Sequence, residues 1–216
     1  MTKLLLSGAP NSGKTSLLQT LTDVLVIARD GKRYPFKQPH VNVPDFTFAQ
    51  EVIDLITEKI GVFEEKTGDL PKTIVIDSVS KMFLDIEGSC IARIHSFPYG
   101  EVNKEIKLLV DFIERDLAEA FNIVMVSHSM TDDDGTKLVN AGGSFGKKGG
   151  ILSETDEAIY LDIKGKKRTV HLRNNRLVSR TTVADSPDSI PLEEFNLQEY
   201  VEMLNEKQND VKEWSL

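Results

Sequence analysis

An eight-residue glycine motif near the amino terminus constrains the fold of this chain more than any other feature. Residues 8–15 read Gly-Ala-Pro-Asn-Ser-Gly-Lys-Thr and match the phosphate-loop pattern G-x-x-x-x-G-K-[ST] at every fixed position. The apolar run at residues 3–7 is typical of a buried strand, and helical spacing follows over residues 15–21. A strand, a glycine loop and a helix in this order predict an α/β fold that binds nucleotide phosphates.

The residues of this loop have distinct expected roles. Its glycines let the backbone turn N–H groups toward phosphate oxygens. Lys14 is expected to reach the β- and γ-phosphates of ATP, and the Thr15 hydroxyl to ligate Mg²⁺. We therefore predict nucleotide binding by Gly8, Ala9, Pro10, Asn11, Ser12, Gly13, Lys14, Thr15 and Ser16.

Two acidic residues follow other predicted strands. Asp77 ends the apolar run at residues 73–76, and the carboxyl ends of parallel strands face one crevice, so Asp77 is a second candidate to hold Mg²⁺. Many ATPases carry a catalytic Glu directly after this Asp, but here the residue is Ser78. Asp30, after the strand at residues 24–28, is therefore predicted to orient the attacking water. The alternative is that Asp30 only forms a turn with Gly31.

A polar pair follows the fourth predicted strand, residues 122–126. The end of that strand is expected near the γ-phosphate. Ser127 or His128 would then sense whether this phosphate is present. The alternative is a structural histidine at a strand end.

The remaining pattern predicts one domain with a mainly parallel central sheet. Apolar runs without polar alternation are separated by helical spacing over residues 49–63 and 102–121, as in βα repeats. We predict an ATPase core over residues 1–190 and an acidic helix or tail over residues 191–216. The other expected elements are a polar, glycine-rich loop at 129–150, paired strands at 158–163 and 168–172, and a terminal helix at 192–208.

Charge is unevenly distributed along the chain, whose net charge is −8. Residues 137–180 hold ten Lys or Arg against four Asp or Glu, whereas residues 181–216 hold two against nine. A basic stretch followed by an acidic one suits polyanion binding with a masking tail, although two differently solvated surfaces would give the same pattern.

Cysteine content and hydropathy exclude several classes. A single cysteine rules out an internal disulfide and a multi-thiolate zinc site. No apolar run approaches the ~18 residues of a membrane span, and the first residues lack a signal-peptide pattern. We expect a cytoplasmic chain without a membrane partner.

Taken together, the phosphate loop, the Ile-Asp-Ser strand end and the polar pair after the next strand resemble the RecA-type ATPase core. Residues 140–146, Asn-Ala-Gly-Gly-Ser-Phe-Gly, are similar to the mobile DNA-contacting loop of recombinases. Residues 173–176, Arg-Asn-Asn-Arg, resemble the basic segment that reaches the ATP of a neighbouring subunit. The overall build, over about residues 3–180, looks like that of small phage RecA-like proteins that anneal single strands.

The resemblance implies a DNA-stimulated, Mg²⁺-dependent ATPase that acts on single-stranded DNA. Phe145, Lys147 and Lys148 are the implied DNA contacts. Phe145 would stack on a base or else anchor its loop, and Lys147 and Lys148 would contact the phosphate backbone or else belong to a solvated, flexible loop. Arg173 and Arg176 are implied as trans-acting residues in a homo-oligomer with ATP at its interfaces, or else as a basic strand end without that role. A replication or single-strand-binding protein is a further implied partner.

Two departures from the family pattern leave the details open. The family commonly has Glu at the position of Asp30, which allows slow or altered hydrolysis. The chain also begins directly on the first strand, so that filament, ring and monomer all remain open. Two other functions fit the same phosphate loop: a nucleotide-gated adaptor such as a helicase loader, and a kinase acting on nucleosides or nucleotides.

Overall fold

A computed structural model describes residues 1–31, 34–133, 135–147 and 150–209. The strands in these ranges are β1 (Lys3–Gly8), β2 (Val24–Ala28), β3 (His40–Asn42), β4 (Thr73–Asp77), β5 (Asn122–Asp132), β6 (Gly135–Leu138), β7 (Glu157–Lys164), β8 (Lys167–His171) and β9 (Ser189–Pro191). The α-helices are α1 (Lys14–Leu17), α2 (Ala49–Thr67), α3 (Val79–Arg93), α4 (Tyr99–Asp111), α5 (Ala118–Ala120), α6 (Ser144–Lys147) and α7 (Leu197–Asn209).

The strands form a mainly parallel sheet in the order β3-β2-β4-β5-β1-β7-β8-β9, with β6 paired to β5. The strands from β3 to β7 are parallel, and the β7–β8, β8–β9 and β5–β6 pairs are antiparallel. The predicted α/β fold of phosphate-loop type is confirmed. Its register pairs Gly8 with His128 and Asp77 with Val126, so the phosphate loop and the predicted polar residues share one sheet edge.

Both faces of the sheet are buried, which explains the continuous apolar strands. Leu4 and Leu6 join a hydrophobic cluster with residues of α1 and α7 on one face. Leu5, between them, joins a larger cluster with residues of α2, α3 and α4 on the other. Alternate side chains of a strand point to opposite faces, so a strand in the middle of this sandwich needs apolar residues at every position.

Helix α3 is an element that the sequence patterns above do not predict. Ser78 caps it, with its Oγ accepting from the backbone N–H of Lys81 at 3.3 Å. Val79, Met82, Phe83 and Ile86 then recur at helical spacing on a buried face. The periodicity was present in the sequence, directly after the strand that ends in Asp77.

Other differences lie at helix boundaries. The helix after the phosphate loop is a single α-turn, continued by a 3₁₀ turn over Leu18–Thr20. The long helix predicted at 102–121 begins earlier, at Tyr99, and changes to π geometry over Phe112–Leu117. Within the proline-containing stretch before α2, β3 adds an edge strand.

The segment at 129–150 is not a continuous loop, contrary to the prediction. β5 extends to Asp132 and pairs with β6 in an antiparallel hairpin. Gly135 has a φ of 125°, and a Cβ there would collide with the Arg176 carbonyl oxygen, so this position needs glycine. Hydrogen bonds to β6 extend β5 into a segment whose polar, glycine-rich composition indicated a loop.

The carboxyl-terminal helix is packed onto the rest of the chain. Leu197, Val201 and Leu204 are buried in the same cluster as β1, and the Tyr200 hydroxyl donates to Glu157 Oε2 at 3.0 Å. Residues 195–204 of the acidic carboxyl-terminal segment therefore contribute side chains to the core. Among the described residues, no helix has both the length and the apolar character needed to cross a bilayer.

Candidate active site

The first glycine of the phosphate loop lies in close contact with β7. Gly8 has a φ of 152°, and a Cβ there would lie 2.5 Å from the Leu161 carbonyl oxygen and 2.8 Å from Ser12 Oγ. Any side chain at this position would push the loop away from the sheet. The first glycine of the motif is thus required by strand packing as well as by phosphate approach.

Two polar side chains are buried inside the loop. Lys14 is 6% exposed, and its Nζ donates to the carbonyl oxygens of Gly8 at 2.6 Å and Ala9 at 2.8 Å. Ser12 Oγ is buried without a hydrogen-bond partner among the described residues. A buried hydroxyl without a partner is costly, and an anionic oxygen within the loop would satisfy it. These residues therefore fit a phosphate group.

A cleft of about 500 Å³ lies over this loop, and we call it the phosphate cleft. It is lined by Pro10, Asn11, Ser12, Gly13, Lys14, Thr15, Ser16, Asp77, His128 and Arg168. The structure thus brings seven of the nine predicted nucleotide-binding residues to the same cleft as Asp77 and His128. The other two, Gly8 and Ala9, contact the cleft residue Lys14 through their carbonyl oxygens.

Asp77 is buried and bonded to a tyrosine that the sequence did not single out. The Tyr34 hydroxyl donates to Asp77 Oδ2 at 2.9 Å. Burial of the ring and the negative charge of Asp77 raise the pKa of Tyr34 well above its usual value, so the phenol stays protonated and acts as a donor. Tyr34 lies 43 residues from Asp77, in a stretch with no motif.

Asp30 and His128 form one unit. His128 Nε2 lies 3.2 Å from Asp30 Oδ2, and the Ser78 hydroxyl donates to Asp30 Oδ1 at 3.1 Å. His128 lines the phosphate cleft, whereas Asp30 lies behind it. Asp30 therefore orients the imidazole and is not itself among the residues that line the cleft; its role toward an attacking water stays a prediction.

The backbone around His128 is fixed from both sides. Its N–H donates to Ser80 Oγ at 3.1 Å, and its carbonyl oxygen accepts from the N–H of Val139 at 2.9 Å. The neighbouring Ser127 is 1% exposed, and its hydroxyl donates to the His128 carbonyl oxygen. Of the two residues predicted to sense a γ-phosphate, His128 is the one that reaches the cleft.

The cleft also suits a magnesium ion bound together with a nucleotide. Thr15 and Asp77 both line it, and hydroxyl and carboxylate oxygens are the ligands that Mg²⁺ takes in such sites. Among the described residues, no group of three or more His, Cys, Asp or Glu could hold a metal ion by itself. Phosphate and water oxygens would have to complete the coordination.

Comparison with known families agrees with this geometry. The family model described as an AAA domain matches residues 1–181, which is most of the chain. The chain belongs to this AAA domain family. It is accordingly a nucleotide-binding ATPase of the phosphate-loop class. None of the curated proteins searched matches it.

Arg168 also lines the cleft of this AAA domain, although no sequence motif predicted it. It belongs to β8, and the charge pattern placed it only within the basic stretch at residues 137–180. A Cβ on Gly13 would lie 3.6 Å from Arg168 Cδ, so the arginine covers the phosphate loop. The antiparallel pairing of β8 with β7, and of β7 with β1, brings it there.

The two arginines predicted to act in trans do not line the phosphate cleft of their own AAA domain. The Arg173 guanidinium donates to the carbonyl oxygens of Val183 and Ala184, and Arg176 lies beside the turn before β6. Both side chains are exposed. A position outside the cleft is compatible with either of the roles that the sequence left open.

The predicted DNA-contacting segment is packed against two helices. Phe145 meets Phe83 edge to face, with ring centroids 5.4 Å apart, and its N–H donates to Asn103 Oδ1 at 3.2 Å. This contact is the loop anchor considered as an alternative, and stacking on a base would require the ring to leave it. The Lys147 backbone ends α6, and Lys148 lies outside the described residues.

Proposed function

We propose that the chain is a RecA-like, Mg²⁺-dependent ATPase that acts on single-stranded DNA in recombination, annealing or replication. The coarser part, a phosphate-loop ATPase, follows from the family. The finer part is the coupling of the nucleotide to DNA. One observation carries it: His128 contacts Asp30 and lines the phosphate cleft, and its carbonyl oxygen bonds to Val139, which leads into the glycine-rich segment.

In this proposal, Lys14 and Arg168 neutralise the triphosphate while Thr15 and Asp77 hold Mg²⁺. The bound ion would supply charge neutralisation between the β- and γ-phosphates. His128, oriented by Asp30, contacts the γ-phosphate or the attacking water. A shift of His128 on hydrolysis would be transmitted through Val139 to the segment at residues 140–146, since the hydrogen bond joins the two backbones.

The DNA contacts remain those that the sequence suggested. Lys147 and Lys148 belong to a glycine-flanked segment that can approach a phosphate backbone, and binding through such contacts would weaken steeply with salt. Phe145 would add stacking after release from Phe83. Arg173 and Arg176, exposed outside the cleft, are proposed to reach the ATP of a neighbouring copy, which would make activity depend on oligomerisation. A single-strand-binding or replication protein is a further proposed partner.

The test is steady-state ATP hydrolysis with and without single-stranded DNA, with Lys14→Ala as control. We expect stimulation by DNA in the natural chain, and loss of both hydrolysis and ATP-dependent DNA binding in the variant. The variant should keep its far-ultraviolet circular dichroism, which separates lost function from lost fold. An ATPase rate that is indifferent to DNA would contradict the coupling and leave the phosphate-loop ATPase standing.

A nucleotide-gated adaptor, such as a helicase loader, is the second candidate because of two exposed aromatic side chains. Phe97 is 92% exposed, and Tyr99, two residues later at the start of α4, is 47% exposed. Aromatic side chains presented to solvent in this way suit a protein partner. ATP-dependent capture of a partner without DNA would support it. The remaining alternative is a nucleoside or nucleotide kinase, for which the loop at residues 35–44 with Lys32, Arg33 and Lys37 is the candidate lid. Lys37 is exposed, and Lys32 and Arg33 lie outside the described residues. A screen of acceptors tests this alternative.

A further inference from the structure

A second cavity adjoins the phosphate cleft, and we call it the side cavity. It has a volume of about 420 Å³. Ser16 and Arg168 line both spaces, so the two are neighbours across these residues. Asp77 and His128 line only the phosphate cleft. The side cavity therefore extends the cleft away from the residues expected to meet the γ-phosphate.

Three separate parts of the chain build the side cavity. Gln19 and its neighbours follow the phosphate loop, Arg168 belongs to β8, and the third wall is the segment Leu192–Phe195. This third wall lies beyond residue 181, where the match to the AAA domain family ends. It belongs to the acidic stretch at residues 181–216, for which the charge pattern suggested a masking role.

The wall at Leu192–Phe195 is held firmly against the phosphate loop. β9 pairs with β8 up to Pro191, directly before Leu192. A Cβ on Gly13 would lie 3.0 Å from Leu192 Cδ2, so the leucine packs on the second glycine of the loop. Phe195 is 7% exposed and packs on Tyr200, with ring centroids 5.3 Å apart. The wall is thus a fixed surface.

We propose that the side cavity binds the nucleoside end of the nucleotide, with Leu192 against the base and Arg168 on the phosphate chain. The inference rests on the proposed nucleotide-binding function and extends it. A triphosphate whose γ end lies at His128 and Asp77 must leave the phosphate loop near Ser16 and Arg168. Its nucleoside then enters the side cavity, whose volume is in the ~300–1,000 Å³ range of small-molecule sites.

The chemistry of the lining fits such a ligand. Leu192 offers an apolar surface to a flat base, and Glu193 and Gln19 offer polar groups to base or ribose edges. The guanidinium of Arg168 suits a phosphate, which it can bind with paired hydrogen bonds. The acidic carboxyl-terminal segment then completes the nucleotide site of its own chain.

The test compares two ligands, ATP and inorganic tripolyphosphate, by isothermal titration calorimetry in the presence of Mg²⁺. Leu192→Ala should weaken ATP binding roughly tenfold more than tripolyphosphate binding, because only ATP loses a contact to its base, whereas a change in the packing on Gly13 affects both ligands alike. Arg168→Ala should weaken both ligands by roughly tenfold or more, because it removes a charged hydrogen-bond donor. Matched controls are Leu108→Ala, an exposed leucine on α4, and Lys164→Ala, a cation of the same turn that lines neither space.

A second measurement uses the natural chain, so that the inference can be tested even if a variant fails to fold. Amide hydrogen exchange of peptides covering residues 190–197 should slow with ATP and stay unchanged with tripolyphosphate. Equal loss of both ligands in Leu192→Ala, no loss of either, or equal protection by both would overturn the inference. ATP that binds no better than tripolyphosphate would also overturn it, while the phosphate site stands. A chain that binds neither ligand would overturn the proposed function itself.

Discussion

At the Asp77 end of the phosphate cleft the polar side chains are buried and bonded to one another, whereas at the Arg168 end they are exposed. Asp77 is 3% exposed and accepts from Tyr34, and Asp30 is bonded to both Ser78 and His128. Arg168 is exposed near the start of β8, in the antiparallel β7–β8 pair. The buried end lies where the parallel strands β1, β4 and β5 meet, and the exposed end where the sheet turns antiparallel.

This difference suggests that the two ends of the cleft have different functions. Groups that are already oriented and desolvated before the ligand arrives favour a chemical step, because no reorganisation is needed during the reaction. Exposed cations contribute to binding and can adjust to the ligand. Substitutions at the buried end should therefore change kcat, and substitutions at the exposed end should change nucleotide affinity.

The largest effect is expected for Asp30→Asn. The amide keeps the shape of the side chain but removes the negative charge that orients the His128 ring. We expect kcat for ATP hydrolysis to fall ~10²-fold with little change in KM. The pH dependence of kcat should also change if His128 takes part in proton transfer. A variant with normal kcat and raised KM would contradict the assignment of the chemical step to the buried end.

The next effect concerns the support of the exposed end. Tyr200→Phe removes the hydroxyl that donates to the buried carboxylate of Glu157, so that an acceptor in the core loses a partner. We expect the free energy of unfolding to fall by ~1–3 kcal/mol in urea titrations. ATP affinity should fall with it, since α7 and Phe195 hold the cavity wall. Tyr99→Phe, at an exposed tyrosine, is the matched control and should leave both quantities unchanged.

A smaller effect is expected for Tyr34→Phe at the buried end. The tyrosine hydroxyl occupies an oxygen of Asp77 that is expected to help hold Mg²⁺. Its removal should lower the Mg²⁺ concentration needed for half-maximal ATP hydrolysis by about threefold, the equivalent of one modest hydrogen bond. The rate at saturating Mg²⁺ should stay unchanged. A raised Mg²⁺ requirement would mean that the tyrosine orients Asp77 for the ion.

The smallest effect is a pH dependence at His171 on β8. Burial lowers the pKa of His171, with the charge of Asp162 opposing the shift. The unfolded chain therefore takes up a proton first as the pH falls below about 6.5, so this histidine lowers stability in acid. His171→Gln should show a smaller drop in melting temperature between pH 7 and pH 5 than the natural chain. An equal drop in both would exclude this contribution.

Much of the fold and the phosphate loop could be predicted from the sequence because their signals are local. The G-x-x-x-x-G-K-[ST] motif is contiguous, and β1, β2 and β4 are apolar runs whose ends are marked by Gly8, Asp30 and Asp77. The hairpin at 129–150 was not predicted, because a hairpin depends on hydrogen bonds between strands more than on composition. Helix α3 was not predicted either, although its helical spacing is present in the sequence.

The sequence by itself determined the chemistry of this protein: a phosphate loop, a carboxylate after a buried strand and a histidine after another. Only the tertiary structure decided which of these residues meet. His128 and Asp30 are 98 residues apart in sequence, and Arg168 and Leu192 come from later strands to lie over Gly13. Contacts between such distant residues depend on strand order and register. Both are set when the whole sheet buries its two faces, and no local sequence pattern encodes them.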